Sequence, residues 1–160
     1  MPIPVWIALI FTILLYFLLS NTKFGVHIYG IGADEESAIR CGINVKRCKL
    51  IVYFLAALLA GIGGLITIGR MNSAHPTVGI GMEFDAIAAA VIGGTSLFGG
   101  VGGIPGTVVG VLLIGSLRNG LDLMMVPSTW QISIIGVIIL AAVLSDVLSR
   151  KLHKKEIKII

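Results

Sequence analysis

The sequence predicts an all-α membrane protein, a polytopic bundle of about five transmembrane helices with a cytoplasmic loop after the first. Three observations predict it. The 160-residue chain is 56% hydrophobic and 12% charged, with mean hydropathy +1.02, whereas a soluble domain carries about a quarter charged residues. Its apolar residues fall in blocks at 3–19, 50–69, 84–98, 104–117 and 132–144. Ten of its twelve Lys and Arg residues lie in two places, the 21–49 loop and the 149–160 tail. A β-barrel is excluded, because barrel strands alternate apolar and polar residues and these runs are apolar throughout.

A hydrocarbon core of about 30 Å needs roughly 20 helical residues. The spans are therefore placed at about 3–20, 50–69, 84–98, 104–121 and 131–148, in one membrane domain covering 1–160. The first, "IPVWIALIFTILLYFLLS", has one Ala and no Gly and is bulky on all sides, so it faces lipid at the periphery. Nothing basic precedes Ile3 and no small-residue cleavage site follows, so it is not a signal peptide. It is either a reverse anchor or a span preceded by others. Lys23, Arg40, Lys46, Arg47 and Lys49 keep the 21–49 loop in the cytoplasm, and Arg150, Lys151, Lys154, Lys155 and Lys158 keep the tail there. The crossings between these two inner regions must be even in number. Counting the short 84–98 stretch as a crossing satisfies that; a re-entrant reading would strand five cations outside.

Helices in lipid associate through small residues that let backbones approach. Ala56, Ala60 and Gly64 form one such ridge, with Ala57 and Gly61 alongside; Ala86, Ala90 and Gly94 form a second, and Gly102, Gly106 and Gly110 a third. Spans two to four are thus expected to make the packed interior. The linker "IGGTSLFGGVGGIPG" gathers Gly93, Gly94, Gly99, Gly100, Gly102, Gly103 and Gly106. It fits neither a Walker loop nor G-x-G-x-x-G. It is a tight turn built for close approach, or a hinge beside a transport route, and the two are compatible.

On the outer side lie Arg70, Asn72, His75, Glu83 and Asp85, with Arg118, Asn119 and Asp122 at the outer end of the fourth span. These either mark the water boundary or, through Arg70, Asn72, Glu83, Asp85 and Asn119, form a polar mouth. Arg70 is the natural counter-ion for Asp85, and Arg150 for Asp146 four residues earlier. No catalytic, metal or cofactor site emerges. The three histidines are scattered, H-E-x-x-H and G-x-S-G are absent, and Cys41 and Cys48 lack metal spacing. The basic balance is explained by topology and calls for no nucleic acid. The tail stops transfer or touches anionic headgroups.

Seven of the twenty charged residues crowd into "IGADEESAIRCGINVKRCK", residues 31–49. Asp34 reads as an N-cap, Glu35 and Glu36 suit the positive helix end, and Gly42 supplies a left-handed stop. A helix of about two turns at 35–41 follows. Asn44 caps a second helix that starts at Val45 and runs into the membrane. The short helix exposes Ser37, Ala38 and Arg40 beside Ile39 and Cys41, and is a connector or a docking element for a cytosolic partner.

The stretch "IYGIGADEESAIRCGINVKRCK" resembles the coupling loop of permease subunits of ribose-type carbohydrate ABC importers. "SAHPTVGIGMEFDAIAAAVIGGTSLFGG" and "GTVVGVLLIGSLRNGLDLM" extend the resemblance in order and spacing over nearly the whole chain. The resemblance implies a non-catalytic permease for a monosaccharide or sugar-like solute in the bacterial cell membrane, multi-pass, with a cytoplasmic C-terminus. It implies that Gly32 to Gly42 contact an ATP-binding cassette subunit, with Asp34, Glu35, Glu36 and Ala38 on the coupling helix. ATP would bind that partner and not this chain. A second permease copy or an N-terminal half, an extracytoplasmic solute-binding protein and the lipid bilayer complete the implied partners. Family permeases are roughly twice as long, with about ten helices, and this chain resembles their last five. A self-contained channel or secondary carrier, or a permease for branched-chain amino acids, is the alternative.

Overall fold

The computed structural model describes residues 3–71 and 79–156, with side chains as far as residue 147. Every regular element among the described residues is a helix: α1 (Ile3–Asn21), α2 (Lys23–Ala33), α3 (Glu35–Arg40), α4 (Val45–Met71), α5 (Met82–Ile92), α6 (Ile104–Leu123) and α7 (Ser128–Glu156). Four are long and apolar enough to cross a membrane: α1, α4, α6 and the Ser128–Val147 part of α7. The chain divides into two compact units, Met1–Val78 and Gly79–Ile160.

In the first unit α1 buries none of its residues, as expected of a helix that is bulky all round. It stops at an elbow. The Thr22 hydroxyl donates to the Leu18 carbonyl at 2.6 Å and accepts from the Gly25 amide at 3.4 Å. A Cβ on the buried Gly25 would stand 1.9 Å from the Leu19 carbonyl oxygen, so only glycine lets α2 fold back this closely. The 21–49 loop is thus more helical than its sequence suggested. α4 is 27 residues long, about 40 Å. Its apolar block is preceded by a polar turn that carries Lys46, Arg47 and Lys49. The predicted ridge on this helix is not used in closing the unit: Ala56, Ala60 and Gly64 are exposed, and a Cβ on Gly61 or Gly64 would meet nothing within 4 Å.

The second unit is where small residues bring backbones together. A Cβ on Gly106 would lie 2.0 Å from the Gly93 carbonyl oxygen, and one on Gly110 would lie 2.0 Å from that of Ala89. The Gly106–Gly110 ridge therefore seats α6 directly on α5, in antiparallel register. On α5 the buried face is Ala88 and Ala89, not the expected Ala86 and Ala90; Ala86 is exposed and Ala90 half-buried. Ile114 and Ile135 close the core from α6 and α7.

The 84–98 stretch is not one continuous helix. α5 has 11 residues, about 16 Å, and ends where Gly94 takes φ +87°. The Gly94 amide bonds the Val91 carbonyl at 3.0 Å and the Thr95 amide reaches back to Ala90 at 3.0 Å. That pair of bonds closes the last turn and prevents continuation. Pro105 then suits the first turn of α6, where a missing N–H costs nothing.

Candidate functional site

Residues 22–49 build a compact helical segment at the cation-rich end of the first unit. Asp34, with φ −157°, ends α2 and starts α3. Its amide bonds the Gly30 carbonyl at 3.1 Å, while its carboxylate accepts from the Glu36 amide at 3.1 Å and from the Ser37 hydroxyl. The hydroxyl bond, aided by the backbone amides, holds the Asp34 carboxyl below the usual carboxylate range. At the far end Gly42 has φ +80°, with its amide on the Ile39 carbonyl at 2.9 Å and the Ile43 amide on Ala38 at 3.1 Å. The Asn44 side chain then caps α4 by accepting from the Arg47 amide at 3.2 Å.

Ala38 is the seat of the short helix. It is 6% exposed, which corrects the expectation that it belongs to the outer face; its methyl group is the buried side of a helix that packs against α2 and α4. Glu35, Glu36, Ser37, Ile39, Arg40 and Cys41 are exposed. Glu35 accepts from the Lys49 ammonium at 2.7 Å, tying α3 to α4, and Glu36 faces Arg40 at 3.6 Å. Gly32 lies in the last turn of α2, half-buried.

Replacing Asp34 with alanine is expected to fray α3, raising amide exchange over 35–40 roughly fivefold. Because the carboxyl is depressed in the folded state, its contribution is complete above about pH 4 and fades as the pH falls below that value. Hydrogen exchange, corrected for intrinsic rates, should show this acid loss in the wild type and none in Asp34→Asn.

In the second unit the glycine-rich turn is anchored to α7. The Ser96 hydroxyl donates to Asp146 at 2.7 Å, and the Ser96 amide bonds the Val101 carbonyl at 2.9 Å. Gly99 and Gly100 take φ +86° and +76°, so they carry the reversal. Gly102 sits against the Thr95 side chain, 3.0 Å from where a Cβ would stand, whereas at Gly103 that position is uncrowded. Asp146 is thus engaged with the turn, while the side chain of its expected partner, Arg150, lies outside the described residues.

At the opposite end of this unit Asp85 pairs with Arg118, not with Arg70 as its nearness in sequence suggested. The antiparallel α5–α6 hairpin explains the exchange: it brings residue 118 alongside the first turn of α5. One carboxylate oxygen of Asp85 is buried with no hydrogen-bond partner. Glu83 accepts from the Gly81 amide at 3.1 Å and so closes the start of its own helix. Asn119 is exposed. Gln131, which the sequence analysis passes over at the start of the fifth span, is 4% exposed and donates to Asp122 at 2.8 Å and to the Val126 carbonyl at 2.9 Å. Arg70 is exposed at the end of α4, beside a cleft shared with Ile3, Pro4 and Ile66. Asn72 and His75 lie outside the described residues. No cluster of metal-ligating side chains occurs among the described residues.

Membrane-length helices and helix packing through glycine define a multi-pass helical membrane protein. The chain belongs to the family described as branched-chain amino acid transport system / permease component, whose profile matches residues 3–143. It is 48% identical over 145 residues to the ribose import permease protein of Escherichia coli K12, covering 91% of this chain and 45% of that protein. It is also 44% identical over 150 residues to the xylose transport system permease protein of Haemophilus influenzae (94% and 40%). For the D-allose transport system permease protein of Escherichia coli K12 the identity is 41% over 150 residues (94% and 46%). The chain therefore spans less than half the length of these curated relatives. No solved structure matches it significantly.

Proposed function

We propose that this chain is a membrane permease component of an ATP-driven importer for a monosaccharide or sugar-like solute, non-catalytic itself, in a bacterial cell membrane. The observation that carries this reading is identity above 40% to ribose, xylose and allose permeases over more than nine-tenths of the chain. Those relatives, named for aldoses, favour a sugar over a branched-chain amino acid despite the family's description. A self-contained carrier would need charged groups at the middle of its spans to bind or couple. The salt bridges described in this chain lie toward the helix ends instead.

In this scheme the 21–49 segment and the tail face the cytoplasm, and residues 32–42 engage an ATP-binding partner. Glu35, Glu36 and Arg40 supply the charged contact, Asp34 and Gly42 hold the short helix in shape, and Ala38 seats it. A push on α3 would pass into α4 through Ala38 and the Glu35–Lys49 pair. It would reach α1 through α2 and the Gly25 elbow, which is rigid-body transmission. The glycines from Gly93 to Gly106 would be a packing joint. Glu83, Asp85 and Asn119 would line an outer polar end that meets a solute-binding protein. ATP is held by the partner, and a second permease chain completes the path.

Charge reversal tests the lever. Glu36→Arg is expected to lower co-purification of the ATPase about tenfold, with membrane insertion unchanged. Recovery of the ATPase at wild-type strength would remove α3 from the contact.

A further inference from the structure

Between α2 and the start of α4 lies a cleft of about 260 Å³ lined by Ile28, Ile31, Gly32, Cys48, Lys49, Val52 and Tyr53. We propose that it binds one anionic phospholipid from the leaflet at the cation-rich end. An acyl chain occupies the cleft, and the phosphate sits between the ammonium groups of Lys46 and Lys49. The inference is independent of which solute the protein moves.

Three features select this occupant. First, the polarity runs in one direction. Lys46 and Lys49 are three residues apart on α4, hence neighbours on one face, and Val52 and Tyr53 continue that face by three and four residues. Cationic groups therefore stand where α4 leaves the polar turn, and the apolar wall extends into the span. A phosphate joined to a hydrocarbon chain has the same polarity in the same order.

Second, the lining is mostly apolar: Ile28, Ile31, Val52 and Tyr53 call for a hydrocarbon cover. A free phosphate would satisfy the lysines and leave Ile28, Ile31 and Val52 uncovered.

Third, the lysine charge is available. Lys49 is paired with Glu35, but the two side chains are 48% and 51% exposed. An exposed pair of this kind is weak, and a phosphate competes with a carboxylate for the same ammonium. Lipid binding would thus loosen the tie between α3 and α4, so bilayer composition acts on the lever.

Cys48, 9% exposed in the cleft wall, supplies a reporter, and Cys41→Ser makes it the sole thiol. That protein would be placed in nanodiscs of phosphatidylcholine with or without phosphatidylglycerol. Maleimide labelling of Cys48 is expected to slow about tenfold when phosphatidylglycerol is present. Native mass spectrometry is expected to find a single phosphatidylglycerol retained in preference to phosphatidylcholine. Lys46→Gln with Lys49→Gln should abolish the preference, and Val52→Trp should expel the lipid with both charges intact. Glu35→Gln should tighten retention by releasing Lys49, a gain that a misfolded variant could not produce. The proposal is overturned if glycerophosphate or inorganic phosphate protects Cys48 equally, since a soluble anion is then the ligand. It is also overturned if protection is the same in pure phosphatidylcholine, or if the Val52→Trp protein keeps its lipid.

Discussion

Gly93→Leu is expected to force α5 and α6 apart and to cost about 3 kcal/mol or more of bundle stability. A Cβ at this position would stand 2.5 Å from the Gly106 carbonyl oxygen and 2.7 Å from the Thr107 Cα. Both neighbours are backbone, so no side-chain rotation can relieve the overlap and the helices themselves must separate. Separation would also open the Ala89–Gly110 contact one turn away. In lipid there is little hydrophobic gain to restore association once close packing is lost. Gly115→Leu is the matched control, because a Cβ there meets nothing within 4 Å. Unfolding of the two variants in mixed detergent should show a large loss for Gly93→Leu and little for Gly115→Leu. Equal stability would refute the close-approach account.

The second large effect concerns the Asp85–Arg118 pair. The two side chains are only 19% and 29% exposed, and one Asp85 oxygen already lacks a partner. Removing one charge leaves the other stranded in a low-dielectric setting. Arg118→Leu and Asp85→Leu are therefore each expected to lose about 3 kcal/mol. The double variant removes both charges and should recover most of that loss, because a buried ion pair adds little beyond apolar groups of similar size. A double-mutant cycle on unfolding free energy reads the coupling directly. Losses that simply add would mean the pair does not hold α5 to α6.

The parts of the lever that the sequence foretold are those whose chemistry is local. Asp34, Gly42 and Asn44 act on backbone groups within five residues, so their identities alone specify a cap, a left-handed stop and a second cap. What escaped depends on tertiary neighbours. α2 carries Gly25, Gly30 and Gly32 in 11 residues, a composition that disfavours helix by intrinsic propensity; the Thr22 cap and the close approach to α1 favour it instead. For Asp85 the sequence offers Arg70, 15 positions away, as counter-ion; the hairpin selects Arg118, 33 positions away. The Gly93-Gly94 pair was visible, but whether a helix passes through such a pair or ends there rests on the closing bonds to Ala90 and Val91. Gln131 did leave a signal that could have been used: an amide inside an apolar span needs an acceptor, and Asp122 lay nine residues before it. The ridge on α4 is the reverse case, a pattern of small residues that no helix of the first unit covers.

The short helix α3 is the element on which the proposed coupling rests. Its charged face is exposed and its shape is fixed at both ends. Its buried side is a single methyl group, and its side-chain ion pair to α4 is exposed. Such an element keeps its form while its charged face stays open to the proposed partner.

Everything proposed for it requires that α3 face the cytosol. Cys41, exposed at the end of α3, reports this directly. In intact cells a membrane-impermeant maleimide should leave Cys41 unmodified, and after permeabilisation it should react fully. Modification of Cys41 from outside the intact cell would reverse the topology and contradict the account.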